Sequence, residues 1–288
     1  LRDPTTSPGM VTLWQDGRWI KEGEFSINPG DRGLLHGLGL FETILAVDGN
    51  PKFLGKHLRR LRESCQRLGW KSLEYSFESI IRELLQRNQL EIGRAKVRLA
   101  LTAGSGSIRD LNSGANRSVW LTAEAAGTEM ESIAVDISPW VRNERSPLSG
   151  LKCASYAENL LALEHARNAG FEETLFLNTS GKVCEAATAN VFAVVAGKLF
   201  TPQLSSGCLP GITRAVVLEL ARQLGIDARE ADIDLGTLVS ATEVFLTSSV
   251  QGPVPVCRIG ERRLAIGTLF HRIRGAWTGR VEPNSEWR

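Results

Sequence analysis

The order of apolar and polar positions predicts short strands and two helices first, then a longer mixture of both. Alternating runs closed by tight turns predict two opening hairpins: Thr12-Leu-Trp-Gln with Arg18-Trp-Ile20 around Asp16-Gly17, and 42–47 closing on Asp48-Gly49. Apolar residues at three- and four-residue spacing predict helices over 54–68 and 77–90. Strands follow at 95–102 and 119–122, and Ile133-Ala-Val-Asp-Ile-Ser138 opens a second, larger region. In that region a helix is predicted over 153–169, with Ala154, Ala157, Leu160, Leu161 and Leu163 as its apolar positions and Gly170 as its stop. Strands at 174–177, 190–195 and 198–201 and a helical run over 215–220, ending near Gly225, complete the pattern. The expected layout is α+β, with a small domain over 10–124, a linker over 125–132 and a large domain over 133–282.

Three short segments carry candidate chemistry. Lys152 closes Ser149-Gly150-Leu151 at the head of the predicted helix, whereas Lys182 and Lys198 follow Gly181 and Gly197 as solvated turn residues do. A lysine forms a Schiff base only through its neutral amine, which burial or a neighbouring cation favours. Glu185 falls where a strand gives way to Ala186-Ala187-Thr188-Ala189, residues small enough for a flat ring to approach the backbone. A carboxylate against a pyridine nitrogen keeps that nitrogen protonated and the ring electron-poor. Pro210-Gly211-Ile212-Thr213 precedes the last predicted helical run, so unpaired first-turn amides form an anion site that Gly211 lets a ligand approach closely. Singly, these read as a surface lysine, a loop carboxylate and a helix start. Together they predict a pyridoxal phosphate enzyme.

Further stretches occur in a specific order: Asp31-Arg32-Gly33, Gly37-Leu-Gly39-Leu-Phe41-Glu42-Thr43, His57-Leu-Arg-Arg60-Leu61, Thr201-Pro202, 209–214 and Phe245-Leu-Thr247-Ser248-Ser249. With Lys152 and 185–192, they make the chain resemble the class IV aminotransferases, the fold-type-IV pyridoxal-phosphate enzymes, from about Trp14 to Val256. The resemblance implies a fold like that of D-amino-acid aminotransferase, with a small N-terminal α/β domain and a larger C-terminal pseudo-barrel. It also implies pyridoxal 5'-phosphate in the cleft between domains and a homodimer that completes the cleft. Lys152 would then be the Schiff-base lysine and proton shuttle, and Glu185 the partner of the pyridine nitrogen. Arg60, Gly211, Ile212, Thr213, and Ser249 after the last strand would hold the phosphate. The residues alone do not separate Arg60 from Arg59 or Arg62, because 56–62 also reads as a solvated helix face. The motif selects Arg60, and arginine's planar fork suits a phosphate.

Two reactions of that family use the same core: amino transfer, and the 4-amino-4-deoxychorismate lyase reaction, which expels pyruvate and leaves 4-aminobenzoate. Phe41-Glu42-Thr43-Ile44 and 249–256 look more like lyase members. Branched-chain and D-amino-acid transaminases usually carry an arginine-glycine after the strand that here reads Leu101-Thr102-Ala103-Gly104, and that arginine is missing. Arg109 is either its substitute or a solvated loop residue. Phe41 is a candidate substrate contact, and Thr43 is either a proton donor or a packing choice. The two reactions stand nearly even. A non-catalytic cofactor-binding protein is a third reading, but Lys152 and Glu185 are not needed merely to hold a phosphate.

Composition changes this picture little. A chain of 288 residues, 42% hydrophobic, can bury cores for two domains. A net charge of +2 with dispersed arginines gives no footprint for nucleic acid. No apolar run reaches membrane-spanning length, and Leu1 to Met10 is too polar for a signal peptide, so a cytoplasmic protein is expected. The five cysteines Cys65, Cys153, Cys184, Cys208 and Cys257 have no paired spacing, which suggests reduced thiols. His36, His57, His165 and His271 are too dispersed for a local zinc motif, and no metal is expected.

Overall fold

A computed structural model describes residues 11–71, 73–109 and 117–279. Leu1 to Met10, Asp110 beside Arg109, and the last residues of the predicted second domain lie outside the described residues. The chain divides into two compact units. The first runs to Thr128 and takes in Lys152–Ser155; the second comprises Glu129–Leu151 and the described residues from Tyr156 onward.

The first unit contains β1 (Thr12–Gln15), β2 (Arg18–Lys21), α1 (Arg32–His36), β3 (Gly39–Val47), β4 (Asn50–Pro51), α2 (Leu54–Arg67), α3 (Phe77–Arg87), β5 (Arg94–Thr102) and β6 (Val119–Ala125). Its sheet runs β2-β1-β6-β5-β3-β4. Both Asp-Gly turns take left-handed backbone at both residues, the conformation that suits a two-residue hairpin. β3 begins three residues before the predicted strand and pairs with β5 from Gly39 opposite Thr102 to Val47 opposite Arg94. Leu54, His57, Leu61, Ser64 and Cys65 form the buried stripe of α2 against β3, and Ile81, Leu84 and Leu85 bury α3 over β1 and β6.

Lys152 is not at the head of a helix. The Phe41 N–H donates to the Lys152 carbonyl at 3.0 Å, the Ala154 N–H donates to the Gly39 carbonyl at 2.8 Å, and Cys153 bridges to Leu40. Backbone groups committed to β3 cannot also close helical turns, so α4 (Ala157–Asn168) starts four residues later than 153. Gly39 makes this pairing possible. A Cβ there would lie 2.9 Å from the Leu101 carbonyl oxygen and 3.2 Å from the Ala154 Cβ.

After β7 (Ile133–Arg142) and α4, the second unit continues with β8 (Glu173–Asn178), β9 (Val183–Ala186), β10 (Asn190–Val195), β11 (Lys198–Pro202), α5 (Ile212–Gln223), β12 (Ala228–Ala231), α6 (Leu235–Ser240), β13 (Glu243–Ser248), β14 (Gly252–Ile259), β15 (Arg262–Arg263) and α7 (Thr268–Thr278). Its curled sheet is ordered β12-β11-β10-β13-β14-β7-β8-β9, with β15 on β14. Val135, Leu175, Val191, Leu246 and Val256 belong to one buried cluster. A second buries Phe192, Phe245 and Phe270 with Val217 of α5, and the first two rings stack at 5.0 Å.

Three expectations need correction here. Leu160 and Leu161 are 60% and 62% exposed, and α4 buries Asn159, Ala162, Leu163 and Ala166 instead. Small side chains let the helix lie close to the sheet. α5 begins at Ile212, three residues before the predicted run. Ser249 follows β13, but β14 and β15 come after it, so it does not follow the last strand.

Candidate active site

The first unit presents Lys152 beside Phe41. The lysine Nζ lies 4.4 Å from the centre of that ring, and the Arg98 Cζ lies 3.9 Å from it. Thr43 stands directly opposite Arg98 in the β3–β5 ladder, on the same sheet face as Phe41. Two cations on one ring make a positive potential that favours an anionic ligand. The strand predicted over 95–102 does not single out Arg98; its signal is a charge inside the otherwise apolar run Val97-Arg98-Leu99-Ala100-Leu101.

The opposite face of β3 carries Glu42, which is 1% exposed. The Arg60 Nε donates to one Glu42 oxygen at 2.8 Å, and an Arg60 terminal nitrogen donates to the other at 2.6 Å. His57 Nδ1 lies 2.7 Å from that second oxygen. Burial alone would raise the Glu42 carboxyl, but Arg60 and the hydrogen bonds from Arg60 and His57 hold it at about 2. Burial pushes the His57 imidazole below its usual value, so it is neutral and donates its Nδ1 proton to the carboxylate. Arg60 is buried, whereas Arg59 and Arg62 are exposed.

In the second unit Glu185 is half-buried, and its Oε2 accepts the Leu209 N–H at 2.8 Å. The Cys184 and Cys208 thiols are pushed up by burial and then by the Glu185 charge, so both stay protonated. The small-residue stretch after Glu185 is held by partners that sequence reading missed. The Ala187 carbonyl accepts from the Tyr156 hydroxyl at 3.1 Å and from Asn159 Nδ2 at 2.6 Å. The Thr188 N–H donates to Glu173 at 3.0 Å, and the Thr188 hydroxyl shares that oxygen. Burial raises the Glu173 carboxyl against the lowering effect of these hydrogen bonds. Tyr156, one of two tyrosines in the chain and four residues after Lys152, was the one legible signal for this support.

At the start of α5, Gly211 is the N-cap, and Ile212 and Thr213 are the first helical residues, positions whose amides have no helical acceptor. The Thr213 hydroxyl donates to the Ser248 carbonyl at 2.9 Å. What Gly211 admits closely is the Asn190 side chain: a Cβ would lie 1.9 Å from its Oδ1, while its Nδ2 donates to the Leu209 carbonyl at 2.9 Å. Thr247 is paired with Asn190 across β13 and β10, and its buried hydroxyl has no hydrogen-bond partner among the described residues. The first-turn amides of α5 are a donor set that fits a phosphate.

Arg109 is exposed, with its backbone N–H 3.2 Å from the Ser107 hydroxyl. Ala103 is buried, and the Ala103 and Gly104 carbonyls accept from the buried Arg32 at 2.8 and 3.1 Å. A cavity of about 510 Å³ in the second unit is lined by Phe171, Glu173, Thr188, Leu246, Thr247 and Val254 among others; it takes in Thr247 but none of Glu185, Gly211, Ile212, Thr213 and Ser249. Among the described residues there is no cluster of three or more metal-ligating side chains, and no helix is long and apolar enough to cross a membrane.

The profile of a family described as amino-transferase class IV matches residues 39–259. The aminodeoxychorismate lyase of Bacillus subtilis (strain 168) is 28% identical over 260 residues, covering 86% of this chain and 87% of the relative. The branched-chain-amino-acid aminotransferase of Salmonella typhimurium (strain LT2) is also 28% identical, over 300 residues and 96% of each chain. Among solved structures, the branched-chain amino acid aminotransferase from Thermobaculum terrenum in its PLP form superposes with a TM-score of 0.81 at 27% identity, covering 93% of each chain.

Proposed function

The chain belongs to the class IV aminotransferases, and from that premise we propose that it is a pyridoxal 5'-phosphate enzyme of the aminodeoxychorismate lyase type, releasing pyruvate from 4-amino-4-deoxychorismate and leaving 4-aminobenzoate. When bound, the cofactor supplies an electron sink for the bond-breaking step. Lys152 is assigned the covalent attachment and the movement of the proton, which its flexible stem and its place beside Phe41 support. Glu185, oriented by the Leu209 N–H, is assigned to the pyridine nitrogen. Arg60, the Ile212 and Thr213 amides and Ser249 are assigned to the phosphate. Arg98 would receive a substrate carboxylate, Phe41 would pack beside the substrate, and Thr43, on the same face, would donate a proton.

The observation that carries the lyase reading is Ala103. Where branched-chain and D-amino-acid transaminases usually carry an arginine, this chain has a buried alanine whose carbonyl is already bound by Arg32. A transaminase reading has its own support in Arg98, which offers a carboxylate a cation from the neighbouring strand position instead. Incubation with aminodeoxychorismate and, separately, with a panel of L- and D-amino acids decides between them. Pyruvate and 4-aminobenzoate, with slow keto-acid formation, are expected. Fast conversion of a common amino acid with no aromatic product would make the chain a transaminase. A homodimer belongs to the same reading and is supported by the exposed Leu160 and Leu161 of α4; sedimentation analysis tests it.

A further inference from the structure

We infer that Glu42 and His57 are positioning residues that fix the guanidinium of Arg60 for the cofactor phosphate, an inference that rests on the assignment of Arg60 to that phosphate. A guanidinium has five N–H groups in one plane, and it binds an oxyanion well only when that plane is set beforehand. Glu42 takes the Nε edge of Arg60 with both carboxylate oxygens, at 2.8 and 2.6 Å, which fixes the plane of the fork. His57 holds one of those oxygens at 2.7 Å and so fixes the carboxylate in turn. Glu42 and His57 are each 1% exposed and Arg60 6%, so water does not loosen the arrangement.

All three side chains stand on regular elements, Glu42 on β3 and the other two one turn apart on α2. The same stretch of β3 also holds the other end of the cofactor's anchorage, because the Phe41 N–H donates to the Lys152 carbonyl at 3.0 Å. Two consecutive residues thus reference both the covalent lysine and the phosphate arginine. A purely structural role explains the cluster less well. Three buried polar side chains are costly to desolvate, and apolar residues of similar volume are often as stable or more so.

The test uses the full chain freed of cofactor, titrated with pyridoxal 5'-phosphate and with pyridoxal, which lacks the phosphate, and read by cofactor absorbance. Glu42→Gln is expected to weaken pyridoxal phosphate binding roughly tenfold or more while leaving pyridoxal binding within about twofold, as outer partners of a ligand group do. In the double variant with Arg60→Ala, affinity should be no lower than for Arg60→Ala alone. Glu42→Asp, which keeps the charge but withdraws the carboxylate by one methylene, should show the same selective loss and covers the case in which Glu42→Gln fails to fold. If Arg60→Ala leaves the preference for the phosphorylated form intact, the assignment of Arg60 fails and this inference with it. If Arg60→Ala abolishes the preference but the Glu42 variants weaken both ligands equally, or neither, the positioning role alone is overturned.

Discussion

Glu185 can serve the cofactor ring only as an anion, and its neighbours are compatible with that: the Leu209 N–H binds one oxygen, and the thiols on either side stay protonated. Glu185→Gln should therefore retain cofactor but lose rate by about a hundredfold or more, the usual cost of removing one electrostatic partner of a reacting centre. Single-turnover rates check this, and near-wild-type rates would remove Glu185 from the ring. Arg60→Ala should weaken cofactor binding more than Arg59→Ala, by roughly 1.5–3 kcal/mol, since a buried charge-assisted contact is compared with an exposed arginine. Equal dissociation constants would argue against Arg60. Sequence could name Arg60 only through its motif, because burial of one arginine among three depends on which face α2 turns to β3. Arg98 stayed hidden for a related reason: a strand pattern gives alternation but not the ring across which two cations meet.

Segment placement shows where local pattern stops predicting structure. The helices over 54–67 and 77–87 and both Asp-Gly hairpins were legible because their signals lie within a few residues. The pairing of 152–154 with β3 was not, since the partners are more than a hundred residues apart and the helical pattern of 153–169 continues smoothly across the true start at Ala157. α5 was placed too late because its first turn, Ile212 to Arg214, carries no cap side chain to mark it. Gly39→Ala should push the Lys152 segment off β3, through its 3.2 Å approach to the Ala154 Cβ, and reduce the fraction of chain that retains cofactor after borohydride reduction. Gly211→Ala would collide with Asn190 and break its bond to Leu209, at a cost of about 1–3 kcal/mol in stability. A denaturant midpoint unchanged in Gly211→Ala would show that Asn190 yields freely.

For the whole molecule, the buried Glu42–His57–Arg60 cluster links stability to pH with a definite sign. His57 is held below its usual value near 6.5, first by burial and then by the nearby positive charges of Arg60 and Lys152, although Glu42 opposes them. As pH falls through that value the unfolded chain takes up a proton that the folded chain refuses, so stability falls with it. Glu42 adds to the loss only further down, between its usual value of 4.5 and about 2. Glu173 acts in the opposite sense: burial raises its carboxyl, and its contribution is lost as pH rises through the folded value. Because several groups contribute, the comparison that isolates His57 is wild type against His57→Asn, in which an amide can still donate to Glu42 but nothing titrates. From about pH 7.5 to about 5.5, wild type should lose stability relative to the variant. Denaturant unfolding at each pH measures the difference. A constant difference across that range would mean that His57 gains its proton in the folded chain as readily as in the unfolded one, and the neutral imidazole donating to Glu42 would have to be abandoned.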